Sequence, residues 1–394
     1  MVLVARLLGK EAFGEFGLIR STATTFVAFS TFGMGLTATK YTAELLSTDL
    51  ERVGRIIGLN YLFTLFSSLL VASVFWISAP WLCQSALQSP HLVGMMRWGA
   101  VLLFLTTFCT TQQGILVGFQ DFRGLALSTF LAGVLSLPII VIATYYLGLP
   151  GAVIGSNATV LLNALINFWF VRSNTRRYHI KSLYRNVSKE MSILWASNFP
   201  LFLSGVTFFG GTWLAQLMLA RHPNGISELS VYYAAFNYQV VMYFLPLHLR
   251  RVFFPVLSRL SGGENNVKFR KVVKSALGIN FVASLIVALP FLLFPCFFMR
   301  LYGEGFSERW LVLIAAGISA LVQSCSLVIY EAVKSRGAFW LDFILCLSGM
   351  AVYIGSSYYL LQAGFSAEVL FYALAISQFV FAIIALKYCF YRVR

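Results

Sequence analysis

Apolar segments long enough to cross a bilayer follow one another along almost all of the 394 residues, with no polar stretch between them large enough to fold as a domain. A membrane-spanning helix needs about 20 mostly apolar residues. Eleven segments meet that length: 16–38, 53–79, 91–118, 124–147, 150–171, 191–220, 229–249, 272–298, 309–333, 338–361 and 366–389. Each is too long and too evenly apolar for the roughly 10-residue alternating strands of an outer-membrane barrel. Charged residues make up 11% of the chain, where a soluble domain carries about 25%. The chain reads as an all-α integral membrane protein with about 11 transmembrane helices.

Positive charge orients it, because short cytoplasmic loops are enriched in Lys and Arg. With the C-terminus in the cytoplasm, 22 of the 29 basic residues fall on the inner side, and only Arg6, Lys10, Arg20, Arg97, Arg221, Arg300 and Arg309 fall outside. The loops 78–90 and 147–151 carry no charge. The net charge of +15 therefore belongs to loops beside the membrane, where it sets topology and meets anionic headgroups, and does not indicate nucleic acid. Eleven spans with the C-terminus inside put the N-terminus outside, so a further helix ahead of the first span is expected.

A basic linker, Arg172 to Lys189, separates five spans from six, and the two parts echo each other. Arg97-Trp98 followed by Arg123-Gly124 matches Arg309-Trp310 followed by Arg336-Gly337, and Ala5-Arg6 matches Ala220-Arg221. The offset implies six spans per repeat, and an even number places both repeats in the same orientation, related by an axis along the membrane normal. The expected domains are an N-terminal lobe (1–172), a cytoplasmic linker (173–190) and a C-terminal lobe (191–394). Gly54-xxx-Gly58 and Gly151-xxx-Gly155 match the small-residue packing pattern of membrane helices and are expected to pack within the bundle.

Three segments carry a family likeness. They are Ala5 to Arg20 (ARLLGKEAFGEFGLIR), Phe32 to Glu44 (FGMGLTATKYTAE) and Gly118 to Gly124 (GFQDFRG). They resemble the signatures of bacterial polysaccharide transporters, the lipid-linked oligosaccharide (O-antigen type) flippases of the multidrug/oligosaccharidyl-lipid/polysaccharide exporter superfamily. The resemblance implies twelve helices in two pseudo-symmetric six-helix lobes around a central cavity that opens alternately to either side. Set against that pattern, the eleven spans read here are expected to correspond to the second to twelfth helices. It also implies a bacterial inner-membrane location, a role in surface polysaccharide or lipopolysaccharide biosynthesis, and a polyprenyl-pyrophosphate sugar as substrate. Membrane lipids and polysaccharide assembly proteins would be its partners, and a monomer its working form.

A charged lipid pyrophosphate cannot cross hydrocarbon without compensating groups, so cations in or beside spans are the first candidates for substrate contact. These are Arg20, Arg250, Arg251 and the nearby His248; Arg97, beside Trp98, reads as an interfacial anchor. Amides can hydrogen-bond sugar hydroxyls or hold helices together. Among Asn60, Gln112, Gln113, Asn163, Asn167, Asn198, Gln216, Asn237, Gln239 and Gln323, the four at 198, 216, 237 and 239 rank first, because their spans face the cavity in relatives. Glu331 and Asp342 are the acids at membrane depth, suited either to coupling a proton or Na⁺ or to pairing with Lys334 or Arg336.

No catalytic constellation emerges. The six cysteines lack metal-ligand spacing, the four histidines form no HExxH, and no phosphate-cradling glycine loop occurs. No cofactor is expected. The functional classes are a lipid-linked oligosaccharide flippase, a small-molecule multidrug antiporter of the same superfamily, and a membrane enzyme acting on the same glycans. The last requires a large external loop, whereas each outer loop here is about 15 residues or shorter. The charge asymmetry makes a direct prediction: a C-terminal green fluorescent protein fusion fluoresces, and a C-terminal alkaline phosphatase fusion is inactive. The opposite pair of results reverses the topology.

Overall fold

A computed structural model of the chain describes residues 1–180, 190, 198–261 and 266–391. Most of the basic linker, and the side chains of Asn198 and Arg251, lie outside the described residues. The described residues form helices α1 (Val2–Leu8), α2 (Lys10–Thr31), α3 (Met34–Leu45), α4 (Leu50–Trp81), α5 (Val93–Gly118), α6 (Phe122–Arg177), α7 (Asn198–Ala220) and α8 (Gly225–Ser261). They continue with α9 (Asn266–Leu293), α10 (Pro295–Arg300), α11 (Glu304–Ser307), α12 (Leu311–Ser335), α13 (Phe339–Gln362) and α14 (Val369–Tyr391). Such a menu is what hydrocarbon permits, since every backbone N–H and C=O must be satisfied within the segment.

Eight of these helices are long and apolar enough to cross a membrane, and α6 supplies two passes. Gly148 interrupts its 56 residues with φ 62° and ψ −136°. A Cβ on Gly155 would sit 3.0 Å from Ile140 Cα, although the two would be about 22 Å apart along a straight helix. The chain therefore doubles back, and Gly151 and Gly155 pack against Ala143 and Ile140 as the small-residue pattern suggested.

The first expected span, 16–38, is two helices. Phe32 (φ 42°) and Gly33 (φ 73°) are both left-handed, which ends α2 and starts α3. Neither α2, with Lys10, Glu11, Glu15 and Arg20, nor α8, with its amides and basic residues, reaches the apolarity of the other spans. The count of eleven rested on run length, and these two helices are where length and apolarity part.

The chain divides into two compact units: an N-proximal unit of Leu18–Phe209 and a C-proximal unit of Met1–Gly17 with Gly210–Arg394. In the N-proximal unit α5 is central, packing against α3, α4 and α6. Helix association in lipid has no hydrophobic drive and depends on close packing and buried polar contacts. Both are present. A Cβ on Gly114 would overlap the Gly35 backbone, and one on Gly118 would overlap Thr42, so α3 and α5 meet backbone to backbone. Thr39 Oγ1 donates to Gly114 O at 2.9 Å, Ser30 and Thr107 hydroxyls meet at 2.6 Å, and Thr64 and Thr111 at 2.8 Å.

Asp121 explains the GFQDFRG segment. Its Oδ1 accepts from Gly124 N at 2.8 Å, capping α6, while its Oδ2 accepts from Asn174 Nδ2 at 2.7 Å near the far end of the same hairpin. A side chain at Gly124 would displace that carboxylate.

In the C-proximal unit α12 holds the corresponding central place, packed by α8, α9, α13 and α14. At its N-terminal end Arg309 Nη2 meets Glu228 Oε2 at 2.6 Å and Glu368 Oε2 at 3.8 Å, and Glu228 Oε2 also accepts from Ala367 N at 3.1 Å. One arginine thus ties the starts of α8, α12 and α14. The opening segment belongs to this unit. Val4, Ala5, Phe13 and Phe16 are buried, Arg6 Nε donates to Leu301 O at 2.6 Å, and the Phe13 ring lies 5.8 Å from that of Tyr302. Gly14 and Gly17 let α2 approach the Ile226 carbonyl and the Tyr233 ring.

The α3–α5 contact can be tested. Gly114→Leu is expected to destabilise the protein by about 1–3 kcal/mol through overpacking. Gly133→Leu, at a position with no neighbour within 4 Å, is expected to leave the detergent melting temperature unchanged. Equal melting of the two variants would show that the close approach is not required.

Candidate functional site

Charge at membrane depth is costly, so charged side chains there mark function by default. The C-proximal unit gathers four: Arg250 on α8, Glu331 and Lys334 on α12, and Asp342 in the first turn of α13. Arg250 Nη1 lies 3.8 Å from Glu331 Oε1, and Lys334 Nζ lies 3.9 Å from Asp342 Oδ2. Both separations exceed a charge-assisted hydrogen bond of about 2.7–2.9 Å. The side chains of Glu331 and Asp342 are 11% and 2% exposed, those of Arg250 and Lys334 are 41% and 26%. The carboxylates stand behind and the cations stand at the accessible margin.

Aromatic rings hold this group in place. Lys334 Nζ is 5.7 Å from the Tyr330 ring centroid, and Tyr330 stacks on Phe381 at 3.9 Å. Arg336 lies over Phe269 at 4.4 Å, which leaves Arg250 as the ion-pair partner of Glu331. The four charges cancel. Their long N···O distances leave donor capacity on the two cations, so phosphate oxygens arriving at the margin can take hydrogen bonds that the carboxylates do not.

The amides expected from sequence are differently employed. Gln216 Oε1 accepts from Tyr233 OH at 3.0 Å, and Asn237 Nδ2 donates to Tyr233 O at 2.7 Å, so Tyr233 brings these two together. Gln239 is buried and its Nε2 has no hydrogen-bond partner. His248 is turned back on its own helix, with Nδ1 2.9 Å from Phe244 O and its ring 4.3 Å from that of Phe244. Arg20 is exposed on α2 in the N-proximal unit. There Asn60 donates to Ile56 O and Asn167 to Asn163 Oδ1, bonds within single helices.

Sequence reasoning passed over Asn280, on α9, which is fully buried with neither amide atom hydrogen-bonded. The signal was present, an amide within an apolar run, as for the residues that were named. Tyr233 and Tyr330 gave no comparable signal, because their roles arise from contacts between helices. Among the described residues no group of three His, Cys, Asp or Glu side chains could hold a metal ion.

The α8–α12 ion pair makes a prediction. Arg250→Glu is expected to lower the melting temperature, and adding Glu331→Arg to recover it. The coupling should be at most about 1 kcal/mol, because Arg250 is 41% exposed. A double variant no better than the sum of the two singles would show that the contact contributes nothing.

Comparison with known proteins bears on what such a molecule is. The model of the family described as "Polysaccharide biosynthesis protein" matches residues 1–261. The EPS I polysaccharide export inner membrane protein EpsE of Ralstonia solanacearum is 22% identical over 372 residues, covering 93% of this chain and 83% of that protein. The protein of the same name from Ralstonia nicotianae is 21% identical over 378 residues. Among solved structures, an inward-facing multidrug resistance MATE family transporter of the MOP superfamily matches with TM-score 0.80 at 17% identity, covering 98% of this chain and 91% of that one. A MOP superfamily transporter from Pyrococcus furiosus, described as having a binding pocket of reversed polarity, matches with TM-score 0.67 at 15% identity, over 98% and 94% of the two chains. The chain belongs to the polysaccharide biosynthesis protein family and carries the fold of the MOP-superfamily transporters.

Proposed function

We propose that this protein moves a polyprenyl-pyrophosphate-linked oligosaccharide across the bacterial cytoplasmic membrane by alternating access, for surface polysaccharide biosynthesis. The likeness to polysaccharide export proteins along 93% of the chain carries this reading. The charged group at Arg250 and Lys334 supports it physically. A lipid diphosphate needs cations that are accessible yet not left bare when the site is empty, and Glu331 and Asp342 supply the resting counter-charge. Arg250 is the principal phosphate contact in this reading, with Arg251 and His248 of the same helix as further contacts; Arg20, on α2 of the N-proximal unit, is a separate candidate contact. Of the amides proposed to meet sugar hydroxyls, Asn198, Gln216, Asn237 and Gln239, the second and third would exchange their present bonds at Tyr233 for the sugar, whereas Gln239 keeps an unpaired Nε2. The protein is a multi-pass inner-membrane transporter with its C-terminus in the cytoplasm and acts as a monomer, not as an enzyme.

The MATE-like fold favours one competing reading, an ion-coupled multidrug antiporter. A cationic drug calls for a carboxylate that is not already neutralised. The acids ahead of residue 210 are Glu11, Glu15, Glu44, Asp49, Glu51, Asp121 and Glu190, none of them within one of the apolar runs read from the sequence. Glu331 and Asp342 face Arg250 and Lys334.

The test is complementation of a strain lacking its own copy of this protein. Surface polysaccharide is expected to return with the wild type and to fall by roughly tenfold or more with Arg250→Ala, matching loss of a charge-assisted contact. Full restoration by Arg250→Ala would remove Arg250 from the substrate path. A wild type that restores no polysaccharide but raises drug resistance would establish the antiporter instead.

A further inference from the structure

The two halves of the chain each place an Arg-Trp pair at the start of their central helix, Arg97-Trp98 on α5 and Arg309-Trp310 at α12. Their surroundings differ. Arg309 is neutralised by Glu228 and Glu368. Arg97 has no ion pair among the described residues. Its guanidinium lies over the Trp76 ring at 5.5 Å, and its Nε is buried without a hydrogen-bond partner.

Nothing in its own unit can supply the missing charge. Glu51 lies at the start of α4, 25 residues before Trp76, and Asp121 lies 24 residues after Arg97 just past the end of α5. At 1.5 Å per residue either acid is about 36 Å away. Asp49 neighbours Glu51, Glu44 ends α3, and Glu190 is held by Arg52 at 3.1 Å beside them. The loop between α4 and α5 carries no acid and only His91.

A half-buried guanidinium pinned on an indole, with no carboxylate within 4 Å among the described residues, has donors to offer an external anion. The apolar surroundings favour an anion that arrives with a lipid. Trp76, over which the guanidinium lies, Ile77 and Trp81 further along the same helix, and Trp98 next in sequence to Arg97 are all large apolar side chains exposed on the surface. The N-terminal turns of α5 add positive potential on the same side. The geometry points to Arg97 as the centre of a binding site for a lipid-borne phosphate, with Trp76 as its wall and the exposed side chains of α4 as the bed for the chain. The phosphate can come from a resident phospholipid or from a polyprenyl diphosphate. The site's existence does not depend on the transport reading, because a phospholipid alone reveals it.

The test uses the full chain in detergent, titrated with phosphatidylglycerol, with undecaprenyl diphosphate, and with a phosphate-free glucosyl diacylglycerol, and counts lipid adducts by native mass spectrometry. Arg97→Gln is expected to weaken the first phospholipid adduct by about tenfold, as for loss of one charge-assisted hydrogen bond, while Arg97→Lys and Arg300→Gln retain it. Binding of the phosphate-free lipid should be the same in all variants. Weakening of both phosphate lipids assigns the site to resident phospholipid, and weakening of the diphosphate alone assigns it to the transported class of lipid. Either result supports the inference. Wild-type binding of both lipids by Arg97→Gln overturns it. A second measurement needs no variant: either phosphate lipid should protect Arg97 of the wild-type chain from phenylglyoxal, and equal modification with and without lipid also overturns the proposal.

Discussion

Close approach of backbones is what the rest of this molecule depends on. Lipid chains are as apolar as leucine, so helices gain nothing by hiding leucine from them, and association has to come from fit and from polar contacts. At the α3–α5 contact both occur in one place. Gly35, Gly114 and Gly118 remove the side chains that would hold the helices apart, and Thr39 bonds across the gap thus opened. The Ser30–Thr107 and Thr64–Thr111 pairs extend the same logic along α5, each a hydroxyl that would be costly to leave alone in hydrocarbon. With α5 fixed, α4 and the α6 hairpin have a surface to pack on.

Charges follow the opposite rule. The four at Arg250, Glu331, Lys334 and Asp342 are loosely held, with N···O separations of 3.8 and 3.9 Å, and they contribute little to stability for what their burial costs. Arg309 shows what a structural pairing looks like in the same unit, a 2.6 Å contact to a carboxylate that also accepts a backbone N–H. The contrast separates a clamp from a loosely paired group that is a candidate site.

Much of this was legible in the sequence, because a bilayer imposes one dominant variable. Run length and apolarity located α4, α5, both arms of α6, α9, α12, α13 and α14, and the expected loop 147–151 contains Gly148, where α6 breaks. Apolarity is blind to dihedral angles, however, and the break at Phe32-Gly33 lies inside an uninterrupted apolar run. The candidate site was half legible. Glu331 and Asp342 stood out as acids in apolar surroundings, and Arg250 as a cation at a span end. Helical spacing favoured a Glu331–Lys334 pair, and the Lys334 charge does act on Glu331, but the contacts within 4 Å run from Glu331 to Arg250 on another helix and from Lys334 to Asp342, choices made by packing between helices. Asn280 was equally visible and equally informative as the amides that were chosen.

Two helices pass from one compact unit to the other without interruption: α2 between Gly17 and Leu18, and α7 between Phe209 and Gly210. Each crossing falls at a glycine, the residue that weakens a helix interior by roughly 0.5–1 kcal/mol relative to alanine. The C-proximal unit is not one continuous length of chain: the first 17 residues are built into it, so the second half of the sequence does not complete that unit by itself.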